Sequence, residues 1–175
     1  MVTETRKKPH VTHNSGNQEW YTPPSIIAAA RRVLGEIDLD PASSEIANAI
    51  VQAKRFYTIV TDGLKHKWCG RVWMNPPYAR SLIEPFTSKL VHHFQEGEVT
   101  EAIVLTNNAT DTKWFQELVS VASAVCFVAG RVKYWGPANA INSPLQGQAI
   151  TYLGPSREKF ASVFQQFGLI LYHTT

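Results

Sequence analysis

The sequence predicts an α/β fold, a largely parallel central sheet with helices on both faces, in a compact version. Three observations predict it. Helix-patterned and strand-patterned segments alternate almost throughout the chain. Several strand-like runs, among them Glu101–Thr106 and Ala124–Val128, are apolar at nearly every position, as strands covered on both faces are. The 175 residues, 44% of them apolar, suffice for one core and need neither a disulfide nor a metal to fold.

The elements follow in order. Residues 1–17 are polar and aperiodic and read as a flexible N-terminal arm; residues 18–175 read as a single domain. Arg6, Lys7, Lys8, His10 and His13 make the arm weakly basic, which suits a solvated tail or contact with phosphate. Thr22-Pro23-Pro24 looks like a helix start, and Ile26–Leu34 a helix stopped by Gly35. Ile37–Asp40 is a short strand ended by Pro41. Ser43 or Ser44 caps a helix running to about Lys54. Arg55–Val60 reads as a strand, Asp62-Gly63 as a turn, and Arg71–Met74 as a strand entering Asn75-Pro76-Pro77-Tyr78. Ser81 opens a long helix, with Pro85 predicting a later start or a kinked first turn. The apolar strand Glu101–Thr106 is followed by a helix capped by Asp111, the strand Ala124–Val128, and a Gly-, Pro- and Asn-rich loop from Trp135 to Gly147. Ala149–Leu153 is a strand, Ser156 caps a helix with Phe160, Val163, Phe164 and Phe167 on one face, and Leu169–Tyr172 is the last strand.

Composition narrows the function. The net charge of +3 and pI near 8.9 are compatible with a polyanionic partner. Cys69 and Cys126 form no CxxC pair and read as two free thiols, which excludes a disulfide framework and a cysteine zinc site. The six histidines show no paired-ligand spacing, so no metal is expected. Apolar runs fall far short of the ~18–20 residues of a membrane span. No apolar stretch follows the basic N-terminal residues, so the sequence predicts a soluble cytoplasmic protein without a signal peptide.

In sheets of this kind ligands sit beyond the carboxyl ends of the strands. Asp40-Pro41 and Asn75-Pro76-Pro77-Tyr78 both fall there. From average residue usage the tetrapeptide arises by chance in on the order of one in a few thousand chains of this length. A rigid turn accounts for the two prolines but not for their flanking Asn and Tyr. Chemistry accounts for all four. The Asn75 amide offers a carbonyl acceptor, and a proline carbonyl beside it offers a second, held rigid by the ring. Two acceptors aimed at one exocyclic amine take both its hydrogens and leave its lone pair less delocalised. Tyr78 supplies a flat face for a heterocycle, a task that needs the ring more than the hydroxyl.

Asn75-Pro76-Pro77-Tyr78 resembles the catalytic motif of S-adenosylmethionine-dependent amino-methyltransferases acting on DNA adenine. The ordered set Trp20-Tyr21-Thr22-Pro23, Asp38-Leu39-Asp40-Pro41-Ala42, Asp62-Gly63-Leu64 with Trp68, the tetrapeptide, Trp114-Phe115 and Gly130-Arg131-Val132 resembles the phage-type DNA N-6-adenine methyltransferases, the phage Dam-like family, over roughly residues 19–154. The resemblance implies a Rossmann-like methyltransferase fold, S-adenosylmethionine as cofactor, double-stranded DNA as partner, and protection of viral DNA from host restriction as its use. It implies that Trp20, Tyr21, Thr22 and Pro23 meet the amino-acid end of the cofactor. Asp40, Pro41 and Ala42 would lie beside its methionine and ribose parts, and Asp62 would contact either the ribose hydroxyls or the adenine amine. Asn75, Pro76, Pro77 and Tyr78 would bind and orient the target base.

Two departures accompany it. The loop after Asp40 carries no glycine, although such loops are commonly glycine-rich so that backbone can approach a ligand. The interval from Asp40 to Asn75 is short, which predicts that a strand or helix is missing on that side. Lys133, Tyr134, Trp135 and Asn139, in the Gly- and Pro-rich region, are candidates for reading DNA. Two other functions compete: methylation of a protein glutamine amide, whose enzymes share the tetrapeptide, and non-enzymatic nucleic-acid binding on a decayed methyltransferase fold.

Overall fold

A computed structural model describes residues 21–136, 141–142 and 144–173. The arm 1–17, Trp20 and Asn139 lie outside the described residues. The elements are α1 (Pro24–Leu34), β1 (Leu39–Asp40), α2 (Glu45–Val51), β2 (Arg55–Phe56), β3 (Gly70–Met74), α3 (Arg80–Gln95), β4 (Val99–Asn107), α4 (Lys113–Ser120), β5 (Ala124–Val128), β6 (Tyr134–Trp135), β7 (Ile141–Asn142), β8 (Gln148–Leu153), α5 (Arg157–Phe164) and β9 (Gly168–Tyr172), with a 3-10 turn at Gly63–Lys65.

Seven strands form one sheet in the order β2-β1-β3-β4-β8-β5-β9. β2, β1, β3 and β4 pair in parallel; β8 is antiparallel to both β4 and β5, and β9 is antiparallel to β5. The sheet is therefore mixed. The expected parallel character holds on the β2–β4 side, and the antiparallel β8 and β9 shape the other. An apolar run such as Ala149–Leu153, buried throughout, does not reveal its own direction, because burial on both faces removes the alternation that marks an antiparallel strand.

Strand side chains alternate between two cores. Trp73, Ile103, Leu105, Ala124, Cys126, Ile150 and Tyr152 pack with α1 and α5. Val72, Met74, Ala102, Val104, Val125, Ala149 and Leu153 pack with α3 and α4. Helices thus cover both faces. Their apolar stripes are those read from spacing: Ile26, Ile27, Ala30 and Leu34 on α1, and Phe160, Val163 and Phe164 on α5, are buried. Cys126 is buried and Cys69 half-buried, and both are free.

Several local expectations change. α3 runs from Arg80, so Pro85 lies inside the helix. As the sixth helical residue, proline there lies past the unpartnered first turn and removes one ladder bond, the one to the Ser81 carbonyl. Only Arg55–Phe56 of the expected 55–60 strand pairs in the sheet. Beyond it the Thr58 N–H donates to Thr61 Oγ1 at 2.8 Å and the Val60 N–H to Thr58 Oγ1 at 3.2 Å, local bonds that compete with a ladder. α2 ends at Val51, short of Lys54, because Gln52 turns left-handed. Thr112, not Asp111, precedes α4. Part of the expected loop 135–147 is the β6–β7 pair, Tyr134 opposite Asn142 and Trp135 opposite Ile141.

Between β1 and β3 lie only α2, the two-residue β2 and the 3-10 turn, so the sheet ends early on that side. β1 and β3 are adjacent, yet the next strand in sequence goes left from β1 and right from β3. That divergence is a topological switch point, and it opens a crevice beyond the strands' carboxyl ends. The opposite ends are stapled. Arg71 Nε donates to Asp38 Oδ2 at 2.8 Å and Nη2 to Asp38 Oδ1 at 3.1 Å. The Arg71 guanidinium, bonded in this fork, holds the Asp38 carboxyl well below its usual range against the opposing effect of burial. No described helix is long and apolar enough to cross a membrane.

Candidate active site

The crevice is a cleft of about 510 Å3, within the span that small-molecule sites occupy. It gathers residues from five places in the chain: Tyr21 and Thr22, Asp40–Ala42, Asp62, Asn75–Tyr78, and Trp135. Of the residues expected to form a site and described, Pro23, Lys133 and Tyr134 do not line it.

Asp40 ends β1 and is 3% exposed. Its Oδ1 accepts the Ala42 N–H at 3.2 Å across Pro41. The aspartate thus closes a turn over a proline of fixed φ. Burial pushes the Asp40 carboxyl up to about 7, with the nearby Ser43 hydroxyl and the bond from the Ala42 N–H offsetting only part of the effect. No lysine or arginine lines the cleft among the described residues, but Lys65, next to the lining residue Leu64, pairs with Asp62 Oδ2 at 3.5 Å.

Asp62 adopts φ 54 and receives the Leu64 N–H on Oδ1 at 3.2 Å. The next residue must be glycine: a Cβ on Gly63 would lie 2.0 Å from the Pro41 carbonyl oxygen. The Asp62-Gly63 turn and the Asp40-Pro41 turn therefore press directly on each other. Fully buried Trp68 fixes this contact from below, its indole N–H donating to the Gly63 carbonyl at 2.8 Å. Lys89 of α3 donates to the Leu64 carbonyl at 2.8 Å.

Asn75–Tyr78 leaves β3 across the cleft from these turns. Pro76 is buried and Asn75, Pro77 and Tyr78 are half-buried. Tyr78 packs against both cores, and its hydroxyl donates to Asn75 Oδ1 at 2.8 Å. The same hydroxyl lies 2.7 Å from that of Tyr134. Burial raises the Tyr78 phenol well above its ordinary value. Tyr78 thus presents more than a ring, because its hydroxyl is committed to the asparagine.

Tyr134 is 1% exposed and approaches the site from beneath, away from solvent. Its neighbour Trp135 is half-buried and clasped to the start of the described chain. Tyr21 and Trp135 exchange backbone bonds of 2.9 and 3.1 Å, their rings lie 4.7 Å apart, and the Trp135 indole donates to the Thr22 carbonyl at 3.2 Å. Lys133 is exposed beside this clasp.

The cleft also uses residues that spacing did not single out, namely Ser43, Ile50, Thr58, Ile59 and Trp73. Ser43 directly follows the expected Asp40–Ala42 segment, and the paired threonines 58 and 61 flank Ile59; these were the available signals. Trp73 reads as an ordinary strand residue. Among the described residues no cluster could hold a metal ion.

Comparison with known proteins identifies the family. A family model described as DNA N-6-adenine-methyltransferase (Dam) matches residues 10–155. A curated DNA N-6-adenine-methyltransferase of Escherichia phage T1 is 30% identical over 130 residues, 73% of this chain and 51% of that protein. The chain thus spans about half the length of that relative. The match takes in every wall of the cleft, from Tyr21 to Trp135, and the chain belongs to the DNA N-6-adenine-methyltransferase (Dam) family.

Proposed function

We propose that this chain methylates the exocyclic amine of adenine in double-stranded DNA, with S-adenosylmethionine as the methyl donor, on a compact Rossmann-like methyltransferase fold. The observation that carries the reading is the meeting of the Asp40-Pro41 and Asn75–Tyr78 turns on one cleft at the switch point, in a chain of this family. The cleft fits the donor chemically. A cationic nucleoside suits a cleft lined by Asp40 and Asp62, with Ile50, Val51 and Leu64 supplying apolar wall. Asp40, Pro41, Ala42 and Asp62 would hold it, with Tyr21 and Thr22 at its amino-acid end. When bound, it supplies an electrophilic methyl group.

The rest falls to the chain's own residues. Lys133, Trp135 and the segments around them grip the duplex, and the target adenine leaves the stack, costing a few kcal/mol. Asn75 Oδ1 and the Pro76 carbonyl accept the two amine hydrogens, which localises the nitrogen lone pair. The Tyr78 ring holds the base plane. Rigidity at Pro76-Pro77 and the Gly63–Pro41 contact fix these groups before the base arrives, so positioning supplies much of the acceleration.

The test is incubation of the full chain with labelled S-adenosylmethionine and unmethylated DNA, followed by nucleoside analysis. Label in N6-methyl-2′-deoxyadenosine supports the reading. Label in cytosine, or DNA binding without transfer, overturns it, as does a parallel incubation with a glutamine-containing protein in which the protein alone takes up label.

A further inference from the structure

We propose that Tyr134 is a positioning residue for this chemistry: its buried hydroxyl, acting through Tyr78, sets where the Asn75 carbonyl oxygen points. The inference rests on the adenine-methyltransferase reading of the cleft.

The geometry is a three-member relay. A phenolic hydroxyl carries one hydrogen. That of Tyr78 is given to Asn75 Oδ1 at 2.8 Å, so the hydrogen in the 2.7 Å contact between the two phenols comes from Tyr134. The relay therefore has one direction, from Tyr134 to Tyr78 to Asn75. Burial raises both phenols above their ordinary range, and each keeps its hydrogen at neutral pH.

Direction matters because a primary amide has two unlike ends. The terminal torsion of asparagine is broad and roughly twofold. An amide turned about that bond would offer N–H donors to an amine that needs acceptors. A hydroxyl that donates to Oδ1 selects one of the two orientations. An amide oxygen has two lone pairs, so it can take the hydroxyl and still accept from an incoming amine.

The anchor of the relay is well held. Tyr134 lies on β6, paired with β7, and the adjacent Trp135 backbone is bonded to Tyr21. The Tyr134 ring meets that of Tyr78 edge-on at 6.5 Å. The carbonyl that handles the substrate amine is thus supported, through Tyr78, by a residue 56 positions beyond that tyrosine.

The test has two arms, both on the full chain. In the first, initial rates of methyl transfer to unmethylated plasmid DNA are measured for the wild type, Tyr134→Phe, Tyr78→Phe and the double variant. Tyr134→Phe lowers kcat about tenfold, the scale of a lost buried hydrogen bond, while KM for S-adenosylmethionine stays within about twofold. The double variant matches Tyr78→Phe alone, because Tyr134 acts only through Tyr78. Losses that multiply overturn the relay. The second arm needs no activity. The Asn75 side-chain amide pair, identified by its loss in Asn75→Ser, is followed by 1H–15N NMR. It shifts in Tyr134→Phe; an unmoved pair overturns the relay. Should Tyr134→Phe fail to fold, Tyr78→Phe breaks the chain at its middle and is held to the same criterion. A wild type that transfers no methyl group to adenine overturns the proposed function, and the amide arm then decides the relay by itself.

Discussion

Replacing Asp40 by Asn separates the charge of this carboxyl from its shape. Asp40 is 3% exposed, and burial carries it from an ordinary 3.8 to about 7. Each tenfold in proton affinity is about 1.4 kcal/mol. Ionised Asp40 therefore costs the folded protein on the order of 4 kcal/mol, as an upper figure. The sign follows from proton counts. Between those two pH values the unfolded chain has released the proton and the folded chain still holds it, so stability falls as pH rises from about 4 to about 7 and levels off above. Asparagine cannot ionise. Urea unfolding followed by tryptophan fluorescence at pH 4.5 to 8 should bring Asp40→Asn and wild type to within about 1 kcal/mol of each other at the acid end. At pH 8 the variant should be the more stable by up to about 4 kcal/mol. Parallel curves across that range would refute the assignment of a charge penalty to Asp40. A cationic ligand in the cleft reverses the advantage. Affinity for S-adenosylmethionine should rise with pH toward about 7 in the wild type and stay weak and flat in the variant, as read by calorimetry.

Three further outcomes are expected. Asn75→Ala should lower turnover by about 100-fold or more, the scale of losing one group that stabilises developing charge, with S-adenosylmethionine affinity nearly intact; unchanged turnover removes Asn75 from the chemistry. Gly63→Ala should destabilise by at least about 2 kcal/mol and weaken cofactor binding, because the added Cβ meets the Pro41 carbonyl oxygen at 2.0 Å; a variant with wild-type melting would show that the two turns are not pressed together. DNA affinity should drop steeply between 50 and 200 mM salt, roughly as many decades as phosphate contacts dictate; a flat response in filter binding would point to a protein substrate.

What could be read from the residues, and what could not, divides along physical lines. Ala124–Val128 was legible to the residue, since a fully apolar run between turn signals leaves little choice. The Asn75–Tyr78 strand end was legible because two prolines cannot continue a strand. The cap of α2 was legible to within one residue: of Ser43 and Ser44, it is Ser44 whose Oγ accepts the Ala47 N–H at 3.1 Å. The direction of β8 was not, because direction is set by which neighbours a strand finds, not by its own side chains. The β6–β7 pair was hidden by composition, as strands this short are held by partners such as Tyr21 rather than by propensity. Tyr134 shows the limit most clearly. Beside Lys133 and Trp135 it reads as a surface residue, and only tertiary packing reveals that its hydroxyl meets that of Tyr78, which in turn bonds Asn75.

The insertion of β8 between β4 and β5 has a consequence for biosynthesis. Both flanking strands leave the ribosome before β8 does, so a nascent chain halted ahead of Leu153 carries two open apolar edges that cannot close on each other. The half bearing Asp40 and Asn75 can zip together early from nearby segments, whereas the other half waits for β8 and then for β9. Non-local closure of this kind is slow, which makes the interval before β8 arrives the moment when the growing polypeptide is most open to capture by a chaperone or to aggregation.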